Sequence, residues 1–354
     1  MTSYRIYSIP FEVRGLKYLE LLHKSVEEDP AFKVKPFSWK ELLFSPCPSN
    51  ERRLVQIQWE TNVYGSEYAL VSLVRMAYRF PGLLILKLRG VKIIWTIHNL
   101  HAHDYPHPWI DELGKRIMWH VADSVTIQQR GYAELKRKEL SGRKKPRIYH
   151  IPHPNFVGIF GPEWSGDRNE LRAKYGISID SIVLLAFGSV RPYKELPKLM
   201  DAVTAAHRKG APVILLITGK AGKEYGEELS KKAAGNPAVI LRLGTVPDVE
   251  VPELMALCDY SALFYSDSSL NSGPLLMSLS YGRPVISRDM PAAEIIANGR
   301  NGFTFHDADG LVDILLKLKE VHISGKDDII KSSGWDWSTM AVQLRKAYTE
   351  LWPD

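Results

Sequence analysis

Cysteine is scarce in this chain: Cys47 and Cys258 are the only two in 354 residues. Two thiols build no disulfide framework and read as buried thiols of a reducing compartment, so a small disulfide-stapled secreted fold is excluded. Long hydrophobic runs are also missing. Pro81 to Leu86 is cut by Lys87 and falls far short of the ~20 residues that span a bilayer. Tyr4 to Pro10 reads as a short strand with no cleavage pattern, so no secretory leader is expected. Charge of one sign is in mild excess only, at +6. That excess comes without an RNP motif, zinc-finger spacing or a basic helix with heptads, and no nucleic-acid partner is expected. The clusters Lys136-Arg137-Lys138 and Arg143-Lys144-Lys145 read either as a solvated helix end and loop or as contacts for an anionic membrane surface. Disorder is not indicated, because 45% of residues are hydrophobic and 24% charged. A chain of this length and composition suits two domains, each with its own core.

What is present is an alternation of apolar strands and amphipathic helices, which predicts an α/β fold with parallel sheets covered on both faces. Ile182 to Phe187 is wholly apolar and ends at Gly188. Ser189-Val190-Arg191-Pro192-Tyr193-Lys194 follows, then a periodic helix from Glu195. Open sheets of this kind bind ligands outside the carboxyl ends of their strands. Two fixed cations there, Arg191 and Lys194, suit a diphosphate. Further on, Asn271-Ser272-Gly273-Pro274 carries cap residues and a first-position proline, and Leu275, Leu276 and Leu279 recur at helical spacing. Gly282 stops the helix before a strand at Pro284-Val285-Ile286. The bare amides of Ser272 and Gly273 at a helix start favour an anion; an ordinary helix of an α/β fold fits the same residues. The prolines of Ile151-Pro152-His153-Pro154 close a first domain at 1–155. A second runs 156–334, and 335–354 is an amphipathic helix opened by Trp335-Asp336-Trp337-Ser338.

Strand-Gly-x-x-Arg-x-x-Lys, the later Asn271-Ser272-Gly273, and Leu279-Ser280-Tyr281-Gly282-Arg283-Pro284-Val285-Ile286 together resemble the donor half of a GT-B nucleotide-sugar glycosyltransferase. The similarity is to bacterial exopolysaccharide enzymes of the xanthan β-1,4-mannosyltransferase kind. It implies two Rossmann-like doubly wound domains facing a cleft, with the C-terminal helix crossing back to the first. It assigns Arg191, Lys194, Asn271, Ser272 and Gly273 to the donor diphosphate, and the turn at Val246 to the nucleobase. The loop after the first strand is implied to reach the acceptor, which makes Glu12, Arg14, Lys17 and Tyr18 candidates. Trp59, at the end of a strand, either stacks on a sugar ring or packs in the core.

The segment Trp95-Thr96-Ile97-His98-Asn99 is similar to the first-domain cleft edge of the same enzymes. There His98 would meet the reacting sugar, and Asp104 in the same loop would be a general base. Four histidines fall between 98 and 107, but their spacing matches no zinc pattern and no cysteine is near. No metal or cofactor is expected. The pattern departs from the retaining branch, which carries two glutamates eight positions apart: Ser269 and Met277 stand there. Ribose contacts are therefore unassigned and an inverting displacement stays open. The expected reaction is transfer of a hexose, mannose from GDP-mannose being one candidate and UDP-sugars another. The acceptor would be a glycan or lipid-linked hydroxyl, in the cytoplasm and at the inner membrane face if peripheral. A GT-B-fold nucleotide-sugar epimerase and a non-catalytic donor-fold subunit are the alternatives.

Overall fold

The computed structural model describes residues 2–13, 17–102, 105–140, 146–266 and 269–352. Contacts divide the chain into two units: Met1–His153 with Trp335–Asp354, and Pro154–Gly334. Among the described residues each unit holds one six-stranded, wholly parallel sheet.

In the first unit, β1 (Ser3–Ile9), β2 (Phe32–Pro36), β3 (Glu51–Ile57), β4 (Lys92–Ile97), β5 (Ser124–Ile127) and β6 (Arg147–His150) lie in the order β2-β1-β3-β4-β5-β6. The chain reverses direction between β1 and β3, and the carboxyl edge at such a switch point is where doubly wound sheets take ligands. Glu12, Gln58 and Trp59 follow those two strands. The helix Trp337–Thr349 packs on the helix Lys17–Val26 of this unit. Arg345 Nη1 donates to the Ser25 carbonyl at 2.7 Å, and the Tyr348 hydroxyl donates to Gln56 Oε1 at 2.8 Å.

In the second unit, β7 (Ile182–Phe187), β8 (Val213–Gly219), β9 (Val239–Leu243), β10 (Tyr260–Leu263), β11 (Val285–Arg288) and β12 (Gly302–Phe305) lie in the order β12-β11-β10-β7-β8-β9. Its switch point falls between β7 and β10. Leu184, Leu215 and Ile217 are fully buried because helices cover both faces, and such strands need apolar side chains on each side.

Several local expectations change. The helix Ala69–Leu88 runs unbroken through Pro81. Pro81 lies on the exposed side, where water can satisfy the carbonyl that its missing N–H leaves open. With its full twenty residues this helix is long and apolar enough to cross a membrane, unlike the run 81–86 considered alone. Residues 39–44 form the helix Trp39–Phe44. Ser38 caps it by accepting from the Glu41 amide at 3.2 Å, a Ser-x-x-Glu signal. The strand Gly302–Phe305 and the helix Lys326–Ser332 had no expectation. In the cluster 136–138, Lys136 pairs with Glu139 at 2.7 Å and Arg137 donates to the Ile148 carbonyl, while Arg137 and Lys138 are exposed. Residues 143–145 lie outside the described residues.

Candidate active site

The donor-side candidates gather at the carboxyl edge of the second sheet. Gly188 takes φ 97°, which a side chain would strain, and a Cβ there would stand 3.5 Å from both Lys194 Nζ and Pro274 Cγ. One point thus brings the Lys194 ammonium and the first turn of the helix Gly273–Ser280 together. Ser272 caps that helix by accepting from the Leu275 amide at 3.2 Å. Gly219, at the end of β8, approaches so closely that a Cβ would sit 1.8 Å from the Gly188 carbonyl oxygen. The loop after β10 is tied to the same edge by the Ser266 amide, which donates to the Tyr193 carbonyl at 2.9 Å.

Lys194 is buried, with 5% of its surface exposed. Its Nζ donates to the Phe187 carbonyl at 3.1 Å and lies 5.2 Å from the centre of the Tyr265 ring. Desolvation drives its pKa down to about 7, because burial penalises the charged form. An anion brought to this edge would reverse that penalty. Arg191 is exposed, and no side-chain partner is seen for it among the described residues. Asn271 and Gly273 are half-buried beside Ser272, and Val246 is half-buried beyond β9. Ser269 and Met277 are buried at 1% and 7%; neither offers a carboxylate for ribose hydroxyls.

Sequence reasoning assigned no role to three residues here. Tyr265 forms the wall beside Lys194, and burial holds its phenol well above the ordinary value. Gly219 was visible only as a glycine at a strand end. Glu195 adopts a left-handed backbone, φ 47° and ψ 38°, rare for a residue with a side chain. Its carboxylate meets Lys198 at 2.8 Å and Arg288, at the end of β11, at 3.4 Å.

In the first unit, His98 follows β4 and is buried. Its ring stacks on Trp59 at 4.6 Å and meets the edge of Tyr18 at 5.3 Å. Nε2 lies 2.9 Å from Gln58 Oε1, an acceptor, so this nitrogen donates. Burial first, and His153 second, lower the His98 pKa to about 3. The imidazole is therefore neutral at pH 7 and suited to hydrogen bonding rather than to proton abstraction. Tyr18 is also buried, and its hydroxyl accepts from Gln128 Nε2 at 3.1 Å. Tyr18 thus shapes the wall around His98. Trp59 is half-buried and its exposed part remains able to meet a ring; Lys17 is half-buried and Glu12 exposed. Asp104 and Arg14 lie outside the described residues.

The loop after His98 is held by a buried ionic cluster that the sequence did not reveal. Asp111 Oδ2 accepts from the Ala102 amide at 3.0 Å and from Lys115 Nζ at 2.8 Å. Tyr64 donates to Asp111 Oδ1 at 3.0 Å. Lys115 also reaches Glu60 at 3.4 Å and the Leu100 carbonyl at 2.7 Å. Glu60, whose carboxyl is pushed up by desolvation and partly held back by Lys115, accepts from Trp95 Nε1 at 3.1 Å. Glu60 is thus structural, not a cleft group.

Two parallel six-stranded sheets with these strand orders and helix coverings make the GT-B architecture of glycosyltransferases. Residues 181–320, which include Lys194 and the helix Gly273–Ser280, match the family described as glycosyl transferases group 1. Among curated relatives, the chain is 24% identical over 261 residues to a D-inositol 3-phosphate glycosyltransferase of Nocardioides, covering 65% of this chain and 55% of that protein. It is 24% identical over 280 residues to the GDP-mannose:glycolipid 4-beta-D-mannosyltransferase of Xanthomonas campestris, covering 76% of this chain and 69% of that one. The chain thus matches little more than half the length of the first relative. Among solved structures, Anabaena HepE in complex with UDP and glucose superposes with a TM-score of 0.70 at 15% identity, over 98% of this chain and all of that one. Sucrose-phosphate synthase from Thermosynechococcus elongatus gives 0.64 at 11% identity, over 99% of each chain. The fold is thus that of GT-B glycosyltransferases, and the group 1 match falls within the second unit.

Proposed function

We propose that the chain transfers a hexose from a nucleoside diphosphate sugar to a hydroxyl of a glycan or lipid-linked saccharide. The observation that carries this reading is the convergence of Lys194 Nζ and the Gly273–Ser280 helix start on Gly188. As the acceptor oxygen attacks the anomeric carbon, the bond to the diphosphate breaks and its electron pair leaves with the phosphate. Lys194, Arg191 and the amides at Ser272 and Gly273 stabilise that charge, a term worth about 3–4 kcal/mol per donor. Asn271 steadies the loop before the helix, and Val246 lies beside the base. On the acceptor side His98 and Trp59 meet sugar, Glu12 and Lys17 border the site, and Asp104 takes the hydroxyl proton. Residues 1–155 serve the acceptor, 156–334 the donor, and 335–354 complete the first domain.

GDP-mannose is favoured as donor by the Xanthomonas relative, and a UDP-sugar by the HepE complex. The same relative's glycolipid acceptor supports work at the cytoplasmic membrane face. Thermal shift with GDP, UDP, GDP-mannose and UDP-glucose tests the donor. One nucleotide series should stabilise the chain, by about 2.7 kcal/mol at 100 times its dissociation constant. Lys194→Met should abolish that shift and turnover alike. Stabilisation by none of the four, or full turnover in Lys194→Met, would overturn the assignment.

A further inference from the structure

The exposed positions of the helix Ala69–Leu88 carry no charge, although the half-buried Arg79 borders them beside Tyr78. These positions run from Leu70 through Val74, Tyr78, Leu84 and Ile85 to Leu88, and all are apolar or aromatic. Leu70 is 73% exposed and Leu88 88%. At 1.5 Å per residue this stripe is roughly 27 Å long, well beyond the scattered apolar side chains normal on a surface. The opposite side is core: Leu83 and Leu86 are fully buried. Lys87 fixes the helix end by donating to the Val121 carbonyl at 2.7 Å and pairing with Asp123 at 3.1 Å. The helix therefore cannot leave its unit to span a membrane; it can only lie on one.

The chemistry of the stripe selects its occupant. A protein interface needs about one hydrogen bond per 100–200 Å², and among the exposed side chains of this stripe only Tyr78 carries a polar group, a hydroxyl that already accepts from Arg79 Nε at 3.2 Å. Hydrocarbon asks for none. Amphipathic aromatics flank the first end: Tyr68 is 70% exposed and Trp109 57%, and His107 Nε2 bonds the Glu67 carbonyl at 2.9 Å between them. Such rings settle at headgroup depth. The other end is cationic. Arg89 follows Leu88 and lines a groove of about 370 Å³ with Arg52, Ser49 and the Arg53–Glu51 pair, joined at 2.6 Å. No side-chain partner is seen for Arg52 or Arg89 among the described residues, so both can receive an anionic headgroup.

We propose that the helix Ala69–Leu88 lies in the interface of an anionic bilayer, with Arg52 and Arg89 taking a lipid phosphate. The purpose of this docking, though not the docking itself, rests on the lipid-linked acceptor reading. The first turn of the helix is joined to the His98 loop, because the Tyr105 hydroxyl donates to Ser72 Oγ at 2.7 Å. A saccharide carried on a lipid headgroup would thus arrive beside the acceptor-side residues.

The test is co-sedimentation of the full chain with vesicles of phosphatidylcholine alone, or with about one third phosphatidylglycerol. The wild type should partition onto the anionic vesicles. Val74→Gln with Leu84→Gln should lower that partition at least tenfold, with melting unchanged because both positions are exposed. Arg52→Gln with Arg89→Gln should lower it about 30-fold on anionic vesicles, as two cations near the surface each contribute about fivefold, and leave neutral vesicles unaffected. Absence of wild-type binding, or a dimer in light scattering that Val74→Gln/Leu84→Gln dissolves, would overturn the proposal. Nucleotide-sugar thermal shift and transfer to a soluble saccharide without vesicles report on glycosyl transfer separately.

Discussion

Donor affinity should depend on pH through Lys194. In the free protein burial holds this amine at about 7. A bound diphosphate adds two negative charges at the same edge and returns the pKa toward the ordinary lysine value of about 10.4. Between those limits the complex holds one more proton than the free protein, so binding takes up a proton and weakens as pH rises. Affinity should be level below about pH 7 and about 30-fold weaker near pH 8.5, a loss of about 2 kcal/mol. The ligand should be an intact nucleotide sugar, whose diphosphate has no terminal phosphate to titrate in this range. Calorimetry in two buffers of different ionisation heat measures both affinity and proton uptake. Equal affinity from about pH 6.5 to 8.5, with no buffer-dependent heat, would refute the linkage.

Lys194→Met should stabilise the ligand-free protein by about 2–4 kcal/mol in urea unfolding. The folded pKa lies below the unfolded one, so the burial penalty is full below about pH 7 and the gain should fade toward pH 10. Gly219→Ala places a methyl 1.8 Å from the Gly188 oxygen; unfolding should show a loss of about 3 kcal/mol or more, with nucleotide binding lost as the β7 and β8 ends part. Asp111→Ala leaves Lys115 buried beside Glu60 alone and should cost about 3–5 kcal/mol, while the second unit's nucleotide thermal shift, read below that transition, should persist. His98 should show no ring titration by NMR between about pH 5 and 8. Because its folded pKa is depressed to about 3, its contribution to stability should fall by about 1.4 kcal/mol per pH unit as pH drops below 6.5.

The parallel sheets and the gathering of Lys194 and the Gly273–Ser280 helix start at one sheet edge were legible because their signals are local. A glycine at a strand end, a cation three residues on, and a Ser-Gly-Pro helix start each announce themselves within a few positions. The depth of Lys194 was not legible: lysines are usually exposed, and only the packing of Tyr265 and the Phe187 carbonyl around it makes this one different. The Glu60–Lys115–Asp111 cluster joins side chains far apart in sequence, and nothing at Glu60 alone separates a cleft carboxylate from a buried one. The burial of Tyr18 was not legible either: a helix start beside a strand end looks accessible, and Gln128, over a hundred residues on, donates to its hydroxyl. Lys87 seemed to cut an apolar run, yet its ammonium turns inward to Val121, and the apolar surface continues past it to Leu88.

The first unit contains residues 335–352 as well as the chain's beginning. A ribosome therefore releases the whole second unit before the helix that shields Gln56 and the Lys17–Val26 face has been made. Until then the amino-terminal half must wait with an open flank, a natural client for a chaperone, and a stop codon after Gly334 would strand it in that condition.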